Sequence, residues 1–125
     1  MKKGEYITAR THAEFLNEAF GTNYKAWMKC TWQYGEWTVW MVRFNKNDGG
    51  WKNTFIPANR IKEENLQNTN IDYLKKIDKK KIVFEIIVDG TQRKYVFKGK
   101  YVYDGKESEP LKVRYYNMVS DELFV

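Results

Sequence analysis

Two β-rich runs between Lys81 and Tyr103 constrain the fold of this chain more than any other feature. They flank the dipeptide Asp89-Gly90, and Asp-Gly between alternating apolar runs is a strong signal for a two-stranded hairpin. Side chains alternate between the two faces of a strand, so every second residue shares a face. The residues predicted to form the apolar face of the first run are Ile82, Phe84, Ile86 and Val88.

The second run of the hairpin alternates aromatic and mostly basic residues. Its aromatic face is predicted to carry Tyr95, Phe97, Tyr101 and Tyr103. Its opposite face is predicted to carry Lys94, Val96, Lys98, Lys100 and Val102. This period of two indicates a strand with aromatic side chains facing one way and cations mostly facing the other.

A single helix is predicted near the N-terminus, over Thr11–Phe20. Thr11 can cap the helix with its hydroxyl, Glu14 stands three residues further on as in a capping box, and Gly21 is placed to end it. The helix is short and its apolar residues form one stripe, which is typical of a helix that packs on a sheet.

The rest of the chain reads mainly as short strands. The predicted strands are Tyr24–Tyr34, Trp37–Phe44, Trp51–Ile56 and Leu111–Tyr116. Cys30 would lie in the middle of the first of them as a small core residue. Both faces of the second are largely apolar, which indicates a central strand or one that closes a barrel. Residues 58–80 are the least regular part, with one or two helical turns predicted over Asp72–Lys80.

Length and strand spacing together predict one domain over residues 1–125. A chain of 125 residues is long enough to bury a core without metal or disulfide bonds, and its 42% of hydrophobic residues fits a globular protein. The predicted fold class is mainly β (α+β), a small curled antiparallel sheet or barrel with one short N-terminal helix.

The net charge of +6, from 22 basic against 16 acidic residues, favours an anionic partner. Nucleic acid, a nucleotide or an acidic protein surface are the candidates, and a basic protein with scattered lysines is the alternative. The sequence has no run of about 18 apolar residues that could cross a membrane. Its N-terminus lacks the apolar region of a signal peptide, and its single cysteine cannot form an internal disulfide. We therefore expect a cytoplasmic protein.

No catalytic signature stands out in the sequence. His12 is the only histidine and Cys30 the only cysteine, which is too few for an ordinary structural zinc site. No glycine-rich phosphate loop is present. We expect no enzymatic activity, no metal and no cofactor. The acidic residue Glu85 is interpreted as the partner of a cross-strand cation, Lys94 or Lys98.

Basic and aromatic residues interleave on the predicted strands. Nucleic-acid surfaces need this pairing, because cations neutralise phosphate and flat rings stack on bases. An ordinary solvated face of lysines is the alternative, and Trp32, Trp37 and Trp40 are expected in the core. The residues predicted to bind a ligand are Lys25, Trp27, Lys29, Trp51, Arg93, Lys94, Tyr95, Lys98, Lys100 and Arg114.

The segment from Phe84 through Arg93–Tyr101, followed by Arg114-Tyr-Tyr116, resembles the closing strands of PUA-like barrels. In particular it is similar to the small reader modules that accompany restriction and phage proteins. The resemblance covers about the last third of the chain. It implies a curled barrel with an aromatic pocket for a base, often a modified base flipped from its stack. It does not fix which tryptophans line that pocket.

The leading hypothesis is a small non-enzymatic module that binds nucleic acid or a modified base through a basic, aromatic-lined barrel surface. The first alternative is a phage-type anti-defence inhibitor or adaptor that binds a host defence protein, since tryptophan and tyrosine are common in interfaces. The second alternative is a sponge for a signalling nucleotide.

Overall fold

The computed structural model describes residues 1–45, 47–48, 50–57, 59–66, 77–109 and 112–124. This part of the chain contains one helix, α1 (His12–Phe20), and nine strands. The strands are β1 (Tyr6–Ala9), β2 (Thr31–Tyr34), β3 (Trp37–Val42), β4 (Asn47–Asp48), β5 (Trp51–Ile56), β6 (Arg60–Asn65), β7 (Lys80–Asp89), β8 (Gln92–Tyr103) and β9 (Val113–Ser120). The predicted mainly β class with one short helix is confirmed.

All nine strands form one sheet with the order β2-β3-β7-β8-β9-β6-β5-β4, and β1 pairs with β8. Every described pair is antiparallel except β3 and β7, which run parallel. A parallel pair needs a long crossover connection, and here the crossover carries β4, β5 and β6. The sheet curls until β5 lies beside the end of β3, where the backbone N–H of Asn45 donates to the carbonyl of Asn53 over 2.7 Å.

Helix α1 begins and ends as its sequence signals predict. The Thr11 hydroxyl accepts from the backbone N–H of Glu14 over 3.2 Å. Gly21 adopts the left-handed conformation at φ 69° and its N–H donates to the Asn17 carbonyl. The Glu14 carboxylate reaches back to the backbone N–H of Arg10, one residue before the expected partner in a capping box. These local contacts fix the helix so that its apolar side packs on the sheet.

The sheet is covered on both faces, and the described residues form two apolar clusters. One cluster lies between the sheet and α1 and includes Phe15, Leu16, Val39, Met41, Ile82, Phe84, Ile86, Tyr95 and Phe97. The other fills the inside of the curl and consists of Trp40, Val42, Phe44, Ile61, Val83, Tyr101 and Tyr116. Strands β3 and β7 contribute to both clusters, which confirms the expectation that the strand after Trp37 is covered on both sides.

A β-bulge at Lys98 moves β8 from one cluster to the other. Phe84 pairs with Phe97, and the preceding residue Val83 pairs with Gly99, so Lys98 is the extra residue. Tyr95 and Phe97 therefore lie on the helix side, whereas Tyr101 lies inside the curl. The prediction of one continuous aromatic face along this strand is wrong for that reason.

Several strand predictions are also corrected. Residues 21–30 form an irregular loop, and the strand β2 begins at Thr31. The Cys30 carbonyl accepts from the Met41 N–H of β3 over 2.8 Å. Cys30 is exposed at the end of this loop and is not a core residue. Val88 is 54% exposed at the end of β7 because the covered part of that strand ends at Ile86.

Strand β6 was not predicted, since it lies within the segment expected to be least regular. Of the helical turns predicted over Asp72–Lys80, residues 72–76 lie outside the described residues, residues 77–79 are irregular, and Lys80 begins β7. The final strand runs over Val113–Ser120, and its predicted start at Leu111 also lies outside the described residues. No helix in the described part of the chain is long and apolar enough to cross a membrane.

Candidate functional site

An open pocket lies where the curl brings β5 beside β3. Its walls are formed by Cys30, Trp40, Met41, Val42, Trp51, Asn53 and Glu63. Its volume is about 130 Å³. A cavity of about 150 Å³ can hold a benzene ring. The pocket therefore has the size of a single six-membered aromatic ring, such as a pyrimidine base.

Strand β5 supplies a ring and an amide to the same side of the sheet. Trp51 and Asn53 are two residues apart, so their side chains leave the strand on one face. Asn53 is 6% exposed, and its Oδ1 has no hydrogen-bond partner among the described residues. A buried acceptor left without a partner costs about 1–3 kcal/mol. This oxygen is thus a place where a donor from a ligand would be stabilising.

Strand β6 supplies a second acceptor directly opposite the first. Glu63 pairs in register with Asn53 across β5 and β6, so the two side chains are neighbours on one face. The Glu63 side chain is 12% exposed. A carboxylate only accepts hydrogen bonds, and an amide can both accept and donate. Together they form a polar edge suited to a planar ligand that carries an amino group.

Arg114 contacts two residues of the pocket wall without lining the pocket itself. It pairs in register with Glu63 across β6 and β9, and its Nη1 lies 3.8 Å from Glu63 Oε1. Its guanidinium carbon lies 4.8 Å from the centre of the Trp51 ring. Arg114 is 7% exposed. The side chain therefore lies behind the pocket wall, and not on the solvent-facing surface where the sequence placed it.

Lys81 is a second buried cation on the inside of the curl. Its Nζ lies 3.9 Å from the centre of the Trp40 ring and 4.3 Å from that of Tyr116. Burial lowers the pKa of Lys81, and the negative charge of Glu63 acts in the opposite direction. Burial also raises the pKa of Tyr116, whose hydroxyl has no partner among the described residues. Arg114 is thus the cation placed against the pocket carboxylate Glu63, at 3.8 Å.

The predicted Lys25, Trp27 and Lys29 lie in the loop before β2. Lys25 and Lys29 are exposed, and Trp27 is half-buried with its Nε1 donating to the Thr31 carbonyl over 3.1 Å. Trp27 and Lys29 line an open cleft, and the loop continues into Cys30, which lines the pocket. The structure therefore brings this predicted group to the neighbourhood of Trp51, although on a loop and not on a strand face.

The predicted cations of β8 lie on a different part of the sheet, and their charges contact neighbouring side chains. Lys98 Nζ is 3.6 Å from a carboxylate oxygen of Glu85, which confirms Lys98 as one of the two expected partners of that acid. Lys94 Nζ is 3.8 Å from a carboxylate oxygen of Asp89. None of these residues lines the pocket.

Three further predicted residues of β8 also contact their neighbours. Lys100 Nζ lies 4.8 Å from the centre of the Trp37 ring, and Arg93 Nη1 donates to the Tyr95 hydroxyl over 3.5 Å. Tyr95 is fully buried and its ring stacks on Phe15 at 4.3 Å. The prediction that Tyr95 stacks a base is wrong, because no face of its ring is open to a ligand.

Sequence reasoning selected Trp51 but missed Asn53, Glu63 and Lys81. Asn53 does carry a local signal, since it stands two residues after Trp51 on a predicted strand and thus shares its face. Glu63 carries none, because its role depends on the pairing of β5 with β6. In the described part of the chain, no group of three or more His, Cys, Asp or Glu residues could hold a metal ion.

Comparisons with known proteins agree with this architecture. A family model described as the SET and RING associated (SRA) domain matches residues 1–125. A solved structure described as the 5-hydroxymethylcytosine-specific restriction enzyme AbaSI superposes with a TM-score of 0.75 at 21% sequence identity. That match covers 94% of this chain and 40% of the AbaSI chain, so this chain spans less than half of that protein. No curated protein matches the sequence.

Proposed function

Because this chain belongs to the SET and RING associated domain family, we propose that it binds DNA and takes a modified cytosine into the pocket beside Trp51. The resemblance to PUA-like reader modules agrees with this family. The observation that carries the proposal is the pair of acceptors at the pocket edge, Asn53 Oδ1 and the Glu63 carboxylate. Cytosine presents an amino group on the edge that such acceptors would bind, whereas thymine presents a carbonyl oxygen there.

A base inside a duplex cannot enter a pocket of this kind, so the nucleotide must turn out of the stack. Turning it out costs a few kcal/mol. Stacking on an aromatic side chain such as Trp51 offsets about 1–3 kcal/mol of that cost. Hydrogen bonds to a charged acceptor such as Glu63 contribute about 1.5–3 kcal/mol each. The cost of turning the base out and the gains from stacking and hydrogen bonding in the pocket are of similar size. The loss of one pocket contact would therefore change base selectivity.

The modification we propose is a small substituent on carbon 5 of cytosine, with hydroxymethyl as the first to test. The solved structure that matches is described as specific for 5-hydroxymethylcytosine, which supports this choice. The pocket wall offers both apolar and polar surface next to a ring-sized space. We also propose that the described fold acts as a binding module without chemistry of its own.

Three duplexes that differ only at one central cytosine test the proposal. The cytosine is unmodified, 5-methylated or 5-hydroxymethylated, and binding is measured by fluorescence anisotropy at two salt concentrations, because phosphate contacts alone give salt-dependent binding without base preference. We expect tighter binding of a modified duplex. A parent protein that binds all three duplexes equally at both salt concentrations contradicts the proposal.

Asn53→Leu tests the pocket, because leucine has a similar volume and no acceptor. The matched control is Thr54→Val, on the same strand with its side chain on the other face. We expect Asn53→Leu to weaken binding of the modified duplex, because the amino group of the base loses an acceptor, and Thr54→Val to leave that binding unchanged. Free nucleotides serve as competitors in the same assay. Competition by a mononucleotide at low concentration would instead favour the signalling-nucleotide sponge, and no binding to any duplex would favour a protein partner.

A further inference from the structure

We propose that Arg114 is a positioning residue that sets the base selectivity of the pocket, an inference that rests on the function proposed above. It does not line the pocket and would not touch the base. It contacts Trp51, which would stack on the base, and Glu63, which would bind its amino edge. One side chain thus fixes the relative placement of the two walls that a base would meet.

The placement of Arg114 follows from strand register. Glu63 on β6 is paired on one side with Asn53 of β5 and on the other side with Arg114 of β9. The three side chains therefore form a row across adjacent strands, all on the inner face of the curl. Arg114 reaches along this row to the ring of Trp51, 4.8 Å away. Its position is determined by backbone pairing as well as by its own contacts.

The chemistry of this position calls for arginine. A guanidinium is planar, so it can lie against an aromatic ring with its face and approach a carboxylate with its N–H edge. A lysine ammonium is a compact point charge that cannot make both contacts in the same way. Arg114 is 7% exposed, and water would not readily replace either contact.

Loss of Arg114 would remove the cation that lies 3.8 Å from the Glu63 carboxylate. The carboxylate would then lose the contact that fixes its position, and the Trp51 ring would lose the guanidinium 4.8 Å from its centre. We therefore expect the two pocket walls to separate. Binding through phosphates would remain, since these contacts do not depend on the pocket.

The test compares Arg114→Met with Arg60→Met in the same duplex assay. Arg60 is a matched control, because its guanidinium carbon lies 4.3 Å from the Tyr115 ring and its Nη2 lies 3.3 Å from Asp104 Oδ2, away from the pocket. The measured quantity is the ratio of Kd for the unmodified duplex to Kd for the 5-hydroxymethylcytosine duplex. We expect Arg114→Met to reduce this ratio about tenfold, or to one, and Arg60→Met to leave it unchanged.

Arg114→Lys keeps a cation beside Glu63. This variant provides the test if circular dichroism shows that Arg114→Met is unfolded. We expect an intermediate ratio for Arg114→Lys, with a larger change in Kd for the 5-hydroxymethylcytosine duplex than for the unmodified duplex, because the phosphate contacts that both duplexes make do not depend on the pocket. A folded Arg114→Lys or Arg114→Met variant that keeps the parent ratio overturns the inference. A parent protein whose own ratio is one contradicts the proposed function instead, so the two failures are distinguishable.

Discussion

Two cations on the inner face of the curl are removed from water, since Arg114 and Lys81 are 7% and 5% exposed. Arg114 Nη1 lies 3.8 Å from Oε1 of the pocket carboxylate Glu63. Removing one partner of a buried ion pair is strongly destabilising, because the remaining charge has lost both water and its counter-charge. In the function we propose, Glu63 would therefore serve both recognition of the base and folding.

Glu63→Gln should lower the free energy of unfolding by about 3 kcal/mol, because it leaves the buried Arg114 guanidinium without its carboxylate. Urea denaturation measures this change. The control is Glu64→Gln, whose side chain is 35% exposed and pairs with Lys62 at 3.4 Å. Exposed pairs contribute about 0–1 kcal/mol, so this control should change little. Equal stability of the two variants would show that the pair of Glu63 with Arg114 does not stabilise the fold.

His12 makes the stability of the folded state dependent on pH in the mildly acidic range. Burial lowers the pKa of His12 below 6.5, with the nearby charges of Arg93 and Arg43 acting in the same direction. The folded state thus favours the neutral ring, whose Nδ1 lies 2.7 Å from the Tyr95 hydroxyl. Stability from this group is fully present above about pH 6.5 and is lost as the pH falls through the lowered pKa of the folded state.

Thermal unfolding at pH 7.5 and pH 5 tests this contribution. Carboxylates titrate mostly below this window, and His12 is the only histidine in the chain. We expect the parent Tm to fall on acidification and the fall to be smaller in His12→Asn. An equal fall in both proteins would mean that another group titrates. Binding of DNA is not needed for this measurement, so it is independent of the proposed function.

At the scale of elements, the bulge in β8 decides how the two apolar clusters are divided. Gly99 follows the bulge with φ +114°, a conformation that side chains rarely adopt. A Cβ at Gly99 would lie 3.0 Å from the Ser120 carbonyl oxygen and 2.7 Å from Met118 Sδ. The Met118 side chain can move, but the backbone of β9 cannot move without changing its pairing with β8.

Gly99→Ala should therefore lower the free energy of unfolding by about 2 kcal/mol, through backbone strain and the close contact with Ser120. Gly105→Ala is the control, because its added Cβ would meet its nearest atom at an ordinary 3.7 Å, on the ring of Tyr103. Chemical denaturation of both variants measures the difference. A Gly99→Ala variant as stable as the control would show that β8 can take another register at the bulge.

The elements that could be predicted from sequence are those with local signals. The helix has its cap at Thr11 and its stop at Gly21, and the hairpin of β7 and β8 has its Asp89-Gly90 turn, so neighbouring residues suffice. The bulge was not predicted, although Gly99 interrupts the alternating pattern and a glycine inside a strand often marks a bulge. The contact that Gly99 makes with β9 depends on the pairing of distant strands and is not contained in the local pattern.

The pocket, too, could be predicted only in part from local sequence signals. Strand β6 has one fully buried apolar residue, Ile61, among charged and polar neighbours, so its pattern does not indicate a strand. Without β6, Glu63 has no predicted position, and Arg114 reads as one more surface cation. Trp51 could be selected because aromatic residues next to a turn are good candidates for a binding surface. The buried polar row behind it depends on pairing between distant strands.

At the scale of the whole molecule, the curl of the sheet places four of the lysines predicted to bind a ligand in two separate groups. The loop before β2 leads into the pocket wall at Cys30 and carries the exposed Lys25 and Lys29. The strand β8 carries Lys94 and Lys98, which contact carboxylates elsewhere on the sheet. A duplex that places a base in the pocket must lie across the pocket mouth. The loop cations are therefore better placed than those of β8 to contact its phosphates.

Two double variants distinguish these groups. Lys25→Ala with Lys29→Ala should weaken binding to all duplexes alike and reduce the slope of log K against log salt by about 1–2, since each lost phosphate contact removes about 0.9. Lys94→Ala with Lys98→Ala should leave the slope near that of the parent, because both ammonium groups already face carboxylates. If instead the β8 pair reduces the slope and the loop pair does not, the duplex lies along β8, and the base must then approach the pocket from that side of the sheet.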